Sequence, residues 1–397
     1  MKKYISILIF SLTLPFVSSA NNYDSNDCKA LLKAIRSNNI TLVKTLLKTT
    51  NANCIDNNPG YEKFITEHGI YTKEKARMPL LAAARQGNLE IGKMILNAGA
   101  KKDVYIQGDG TALLTASRYG HLDFVKHLVE LGVNPKERFV NHGNALIVAA
   151  SKGNLEVVKY LISKKLDINR RFQNQGTALI VSANNGRLST VKYLLSKGAK
   201  IDLETSNQGT ALIAASNNGY TETVKYLISK GADINLLSSN RGTALTVAAN
   251  NGNLETLKFL LSKGVDINQL APNQGTALIT ASNNGYTEVV EYLISEGAEI
   301  DFVAPNRGTA LIVASNNGYS ETVSLLLSKG ADINKVSRNQ GTALIAAANN
   351  GYTDTVRFLI SKGADVNIEV NGKTALSVAI NNDYMITTKY LKSKGAR

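Results

Sequence analysis

The sequence predicts an all-α solenoid, a stack of about eleven short units that share one continuous core. Three observations predict it. The tetrapeptide Gly-Thr-Ala-Leu returns every 33 residues, at Gly176, Gly209, Gly242, Gly275, Gly308 and Gly341. The register continues upstream at Gly110-Thr111-Ala112-Leu113, Gly143-Asn144-Ala145-Leu146 and Met78-Pro79-Leu80. Each period also holds two short helical patterns separated by a Gly. A fixed period of roughly 20–50 residues marks units that bury their apolar faces only against neighbours.

Taken in order, residues 1–20 read as a secretory leader. Lys2 and Lys3 give a positive start, Ile5 to Val17 an apolar stretch, and Ser18-Ser19-Ala20 the small residues before a cut after Ala20. The alternative is an uncleaved anchor, for which the apolar run is short. The mature chain is then expected to be exported, periplasmic or secreted, without a transmembrane segment, and monomeric. Residues 21–56 hold a linker and a first capping unit. The two cysteines, Cys28 and Cys54, both fall there. An oxidising compartment favours a disulfide between them; the alternative is two buried thiols. Residues 57–77 interrupt the period with Pro59-Gly60, Tyr61, Phe64, His68-Gly69 and Tyr71. This insertion reads as a tolerated surface loop, or as a lid over one edge of a groove. Nine internal units fill 78–371, and a final cap fills 372–397.

The unit from Asn207 to Asn235 serves as template. Asn207-Gln208-Gly209 is turn chemistry. Thr210 stands at an N-cap position before a short helix with Ala214 and Ala215. Gly219 ends that helix at a place suited to positive φ. A second helix follows from Thr221, with Val224, Leu227 and Ile228 on one face. Gly231 ends it, and Ala232-Asp233-Ile234-Asn235 leads to the next turn.

This layout resembles the ankyrin repeat, a β-hairpin finger followed by two antiparallel helices. The matching residues are the Thr-x-Leu start, the small residues after it, the mid-repeat Gly, the Val-x-x-Leu-Ile helix and the Gly-Ala-Asp-Ile-Asn tail, over about residues 27–397. The chain is similar to an exported, bacterial, multi-repeat member. It departs from the family where Thr-Pro-Leu-His reads Thr-Ala-Leu-Ile, which predicts a drier seam between repeats. The ends change as caps should. The mid-repeat Gly becomes Asn38 in the first unit and Asp383 in the last, the non-Gly residues best tolerated at positive φ. Apolar columns become Lys33, Thr388 and Lys392.

Catalysis is not expected. The four histidines, His68, His121, His127 and His142, show no metal-like spacing with cysteine, and no phosphate loop, nucleophile elbow or paired carboxylate occurs. No cofactor is implied. The net charge of +14 would draw acidic partners. Part of it has a local cause, since Lys197, Lys230, Lys263, Lys329 and Lys362 each close a second helix at its negative end. Nucleic acid is not expected for an exported chain in which the sequence reveals no aromatic–basic surface.

Two groups of residues are candidates for binding. The first is the finger tips, where the units differ most: Arg138 and Phe139, then Arg170, Arg171 and Phe172, then Leu203, Leu236 and Leu237, then Leu270, Phe302, Val303, Lys335 and Val336. They read as an apolar strip rimmed by cations, or as drift at exposed positions. The resemblance points to the tips too, because ankyrin proteins hold partners by the tips and the inner helix face. The second group is an Asn pair at the end of each first helix: Asn184-Asn185, Asn217-Asn218, Asn250-Asn251, Asn283-Asn284, Asn316-Asn317 and Asn349-Asn350, with Asn381-Asn382 in the cap. These amides either hydrogen-bond up the stack or line a groove. The resulting expectation is a non-catalytic scaffold for a protein partner, with an anionic surface polymer or lipid headgroup as the alternative.

Overall fold

The computed structural model describes residues 25–54, 78–106, 110–139, 143–173, 175–272 and 274–397. Residues 1–20, read above as a leader, the 57–77 insertion, His68 and His142 lie outside them. The chain divides into two compact units, at Ala112 and Leu113.

The first unit contains the helices Ser25–Arg36, Ile40–Leu46, Pro79–Gln86 and Leu89–Asn97. Leu31, Leu32, Ile35 and Val43 are fully buried, as are Ile91 and Ile95. Cys28 and Cys54 are joined as a disulfide with Cα atoms 5.8 Å apart, both buried in this unit. Lys33 is exposed, as an end position requires.

The second unit is a run of helix pairs, from Ala112–Tyr119 with Leu122–Glu130 to Ala375–Asn381 with Met385–Ser393. The template repeat shows why the sequence folds this way. Thr210 is extended, and its Oγ1 accepts from the Ile213 N–H at 3.3 Å, satisfying one orphan donor of the helix Ala211–Asn217. That inner helix is buried from Ala211 through Ser216. Its small residues let the inner helices of neighbouring repeats approach closely. The outer helix Thr221–Ser229 buries a narrower face, Thr223, Val224 and Leu227. Each such Leu contributes roughly 1.5–3 kcal/mol relative to exposure. Ile213, where the family has His, is 1% exposed and packs beside Gly209. The expected drier seam is therefore filled by aliphatic carbon.

The mid-repeat Gly answers two demands. Gly285 has φ +71°, and an added Cβ would lie 2.7 Å from the Tyr319 ring of the next repeat. Asn38 and Asp383 hold the same conformation at φ 57° and 58°, as read from the sequence. Neighbouring repeats are also tied at the finger base. Asn169, Asp202, Asn268, Asp301 and Asn334 accept through Oδ1 from backbone N–H groups about one repeat further on, at 2.8–3.1 Å. Among the described residues the fingers carry a single antiparallel bridge per repeat, such as Ser238 with Gly242, rather than a strand ladder. In the last repeat Lys392 is exposed and Thr388 half-buried. The same cap also exposes Ile380, Met385 and Ile386, so its outer surface is polar only in part.

Candidate functional site

The fingers sort the predicted tip residues into three registers. The bridging register is turned inward: Ser238, Ala271, Ala304 and Ser337 are buried, and Phe139 and Phe172 are half-buried. Two residues earlier Arg170 is exposed, whereas Leu203, Leu236, Phe302 and Lys335 are half-buried. The register between them is the exposed one. It holds Leu237 at 42%, Leu270 at 40%, Val303 at 39% and Val336 at 46% exposure, on four consecutive repeats. The same register holds Tyr105, 39% exposed, in the first unit; in the second unit it begins with Arg138, Arg171 and the half-buried Glu204, and ends with Glu369. The structure thus brings four predicted residues into one apolar row and sets Leu236 and Phe302 behind it.

The basic end of the column adjoins a cleft of about 310 Å³ lined by Arg170, Arg171, Lys200 and Leu203, with Asp167 and Asn169. Lys200 was not singled out from the sequence, and Glu204 was read only as part of the Leu203-Glu204-Thr205 tip. Glu204 accepts from the Ser238 Oγ at 2.6 Å across one repeat. No local motif marks these contacts, because each joins residues about one repeat apart.

The Asn pairs are hydrogen-bonded up the stack. The side-chain amide of Asn218 donates to Asn184 Oδ1 at 3.0 Å, Asn251 to Asn217 at 3.1 Å, Asn284 to Asn250 at 3.2 Å, Asn317 to Asn283 at 3.2 Å and Asn350 to Asn316 at 2.9 Å. Most of these amides also donate to a carbonyl four residues back in their own helix, as Asn284 does to Thr280 at 2.9 Å. Asn185 donates to Val181 and to the Ser151 hydroxyl, where no earlier Asn is in register. The second Asn of each pair is therefore occupied within the protein. The first supplies the acceptor.

The outer helices carry an arrangement absent from the sequence expectation. Lysines lie over aromatic rings, both within a repeat and across the seam. Lys192 stands 5.4 Å from the Tyr226 ring centroid and Lys230 5.6 Å from the same ring. Phe259 has Lys225 at 5.9 Å and Lys263 at 5.3 Å. Such contacts are worth about 0.5–1 kcal/mol at exposed sites. Aromatic and basic residues do share a surface, which corrects the sequence reading, but the cations occupy the ring faces. Glu291 and Glu296 break the pattern in the next repeat. Partial burial, together with a hydrogen bond and the charge of Glu296, pushes the Tyr292 hydroxyl above its ordinary range.

Among the described residues no group of three or more His, Cys, Asp or Glu is placed to hold a metal ion. No helix among them is long and apolar enough to cross a membrane.

Comparison with known proteins agrees with this geometry. The family model for ankyrin repeats (3 copies) matches residues 52–139, 80–174, 113–205, 179–271, 245–337 and 311–397. The structure is similar to that of the human ASB11 ankyrin repeat domain, at 25% identity and TM-score 0.50, over 55% of this chain and 98% of that one. Comparison with curated proteins finds no match. With matches spanning nearly the whole described chain and the helix-pair architecture in hand, the protein belongs to the ankyrin-repeat family.

Proposed function

We propose that the chain is an exported, non-catalytic scaffold that holds a protein partner along its finger tips. Ankyrin repeats are in general protein-interaction scaffolds, and that coarser statement applies to this chain through its family. The observation that carries the finer reading is the exposed apolar row Leu237, Leu270, Val303 and Val336. Apolar side chains kept exposed at one register of consecutive repeats cost solubility, and such patches mark interaction sites. The cations Arg138, Arg170 and Arg171 at one end of the row would steer an acidic partner. Export rests on residues 1–20 and their leader pattern.

The test is a crosslinked capture from the compartment in which the protein accumulates. The full chain is compared with a variant carrying Leu237→Ser, Leu270→Ser, Val303→Ser and Val336→Ser. Loss of a specific crosslinked species in a folded variant is the expected result. An unchanged capture pattern removes the apolar row as the site. An N-terminal sequence of the accumulated protein that starts at Met1 rather than Asn21 removes the cleaved leader.

A second reading, attachment to an anionic surface polymer, is favoured by a separate observation. The outer helices of four consecutive repeats carry a net positive charge bounded by acidic repeats.

A further inference from the structure

The outer-helix charge is uneven along the second unit: apart from the last repeat, with Lys389, Lys392 and Lys394, it gathers in one run of four repeats. In residues 155–165, 188–198, 221–231 and 254–264 there are nine lysines against three glutamates. The preceding outer helix segment, 122–132, holds Asp123 and Glu130 against Lys126. The following one, 287–297, holds Glu288, Glu291 and Glu296 with no cation. A field produced only by helix-end preferences would continue through the acidic repeat, where Glu296 sits at the helix end that a lysine occupies in its neighbours.

Eight of these nine lysines, all but Lys165, form two columns at the repeat period. One is Lys159, Lys192, Lys225 and Lys258; the other is Lys164, Lys197, Lys230 and Lys263. In the first column, Glu156, Glu222 and Glu255 pair with their own-helix lysines at 2.6–3.4 Å, in exposed contacts of little strength. Lys192 has Ser189 at the corresponding position. The second column is exposed throughout. Its ammonium groups are held 5.2–5.7 Å from rings of their own helices, which limits their freedom at no cost in charge. With helices packed at about 8–10 Å, the second column presents one cation per repeat over roughly 30 Å.

We propose that this outer face of residues 155–264 binds a linear acidic polysaccharide, a chain with carboxylate or sulfate groups at regular intervals. The proposal rests on the second reading above and localises it. Three features select the class. All nine cations of the four outer-helix segments are lysines, point charges that suit a row of spaced anionic groups without bidentate recognition of any one of them. The rings Tyr226 and Phe259 are flanked by lysines on both sides of the seam, so they offer no platform for stacked bases. None of the exposed large apolar side chains lies within the four helices, whereas a helix lying in a lipid surface needs an apolar face to insert.

The experiment titrates the full chain with sulfated dextran and with polygalacturonate and follows binding by calorimetry, at low and then raised ionic strength. Binding is expected at low salt, weakening steeply as salt rises. Lys192→Gln, Lys197→Gln, Lys230→Gln and Lys263→Gln together should weaken it about tenfold or more, whereas Lys329→Gln, Lys362→Gln, Lys389→Gln and Lys394→Gln, an equal change in net charge, should shift it about twofold or less. Glu291→Lys with Glu296→Lys restores the neighbouring repeats' pattern and should tighten binding several-fold. That gain cannot come from misfolding.

Four results overturn the proposal, and they separate its parts. If neither polymer binds, the second reading falls with it. If both sets of glutamines weaken binding equally, the polymer reading stands and the localised face is wrong. If the glutamate-to-lysine variant binds no tighter than the parent, the bounded face is likewise wrong. If anionic phosphatidylserine vesicles or a single-stranded oligonucleotide bind as tightly, with the same dependence on the four lysines, the face is right and the ligand class is wrong.

Discussion

The asparagine column at the inner helix ends and the apolar column at the finger tips share a period but not a role. Both are surface features, both repeat every 33 residues, and the sequence alone leaves both open as binding sites. In the asparagine column, Asn284 donates to Asn250 and to Thr280, so the amide has partners within the stack. In the tip column, Val303 leaves 39% of its surface exposed, beside neighbours equally exposed at the same register. Repetition by itself therefore says little about binding. What separates the two is whether the repeated group is satisfied by the next copy of itself. A hydrogen-bonding side chain can be; an apolar side chain on a finger with a single bridge is not.

That comparison can be broken at several points. The largest effect is expected in the framework on which both columns are mounted. Gly285→Ala places a Cβ against the Tyr319 ring at positive φ and should cost about 1–3 kcal/mol in denaturant unfolding. Gly297→Ala, also at positive φ but with open space around it, should cost less. Equal losses would mean that the ring contact contributes nothing.

Next is the inner helix start. Thr276→Ala removes the cap on Ile279 and should cost about 1 kcal/mol, with Thr276→Ser restoring most of it. The asparagine ladder should show a similar loss. Asn284→Ala forfeits one exposed and one partly buried hydrogen bond, should cost about 1 kcal/mol in all, and should leave partner capture unchanged. If capture fails while stability holds, the column is a binding site and the comparison is reversed. The smallest stability effect belongs to the tips. Val303→Ser should change unfolding by no more than about 0.5 kcal/mol, because the side chain packs little. A loss well above that would show that the tips pack on one another and belong to the framework.

Much of the fold was legible in the sequence because each local signal recurs. Thr before an apolar run, Gly between two patterns, and Asn38 and Asp383 in place of that Gly each predict a backbone state without reference to distant residues, and the structure shows those states. Asn169, Asp202 and Asn268 hold one register of the repeat tails, but their bonds to the next repeat depend on how two turns meet. The lysine–aromatic contacts were missed for the same reason. Lys192 and Tyr226 are 34 positions apart, and only stacking sets one over the other. Among the tips, sequence treats Leu236 and Leu237 alike, whereas the finger turns one partly inward and the other out.

By itself the sequence determined the period, the helix starts and stops, the apolar core faces and the positions where repeats differ. These follow from local chemistry: caps, glycine conformations and 3.6-residue periodicity act within one repeat. The tertiary structure alone decided which surface columns are satisfied by their neighbours and which remain open to a partner. That outcome depends on the stacking of successive repeats, which brings residues about 33 positions apart within bonding distance, as at Asn284 and Asn250, or leaves them exposed, as at Val303 and Val336.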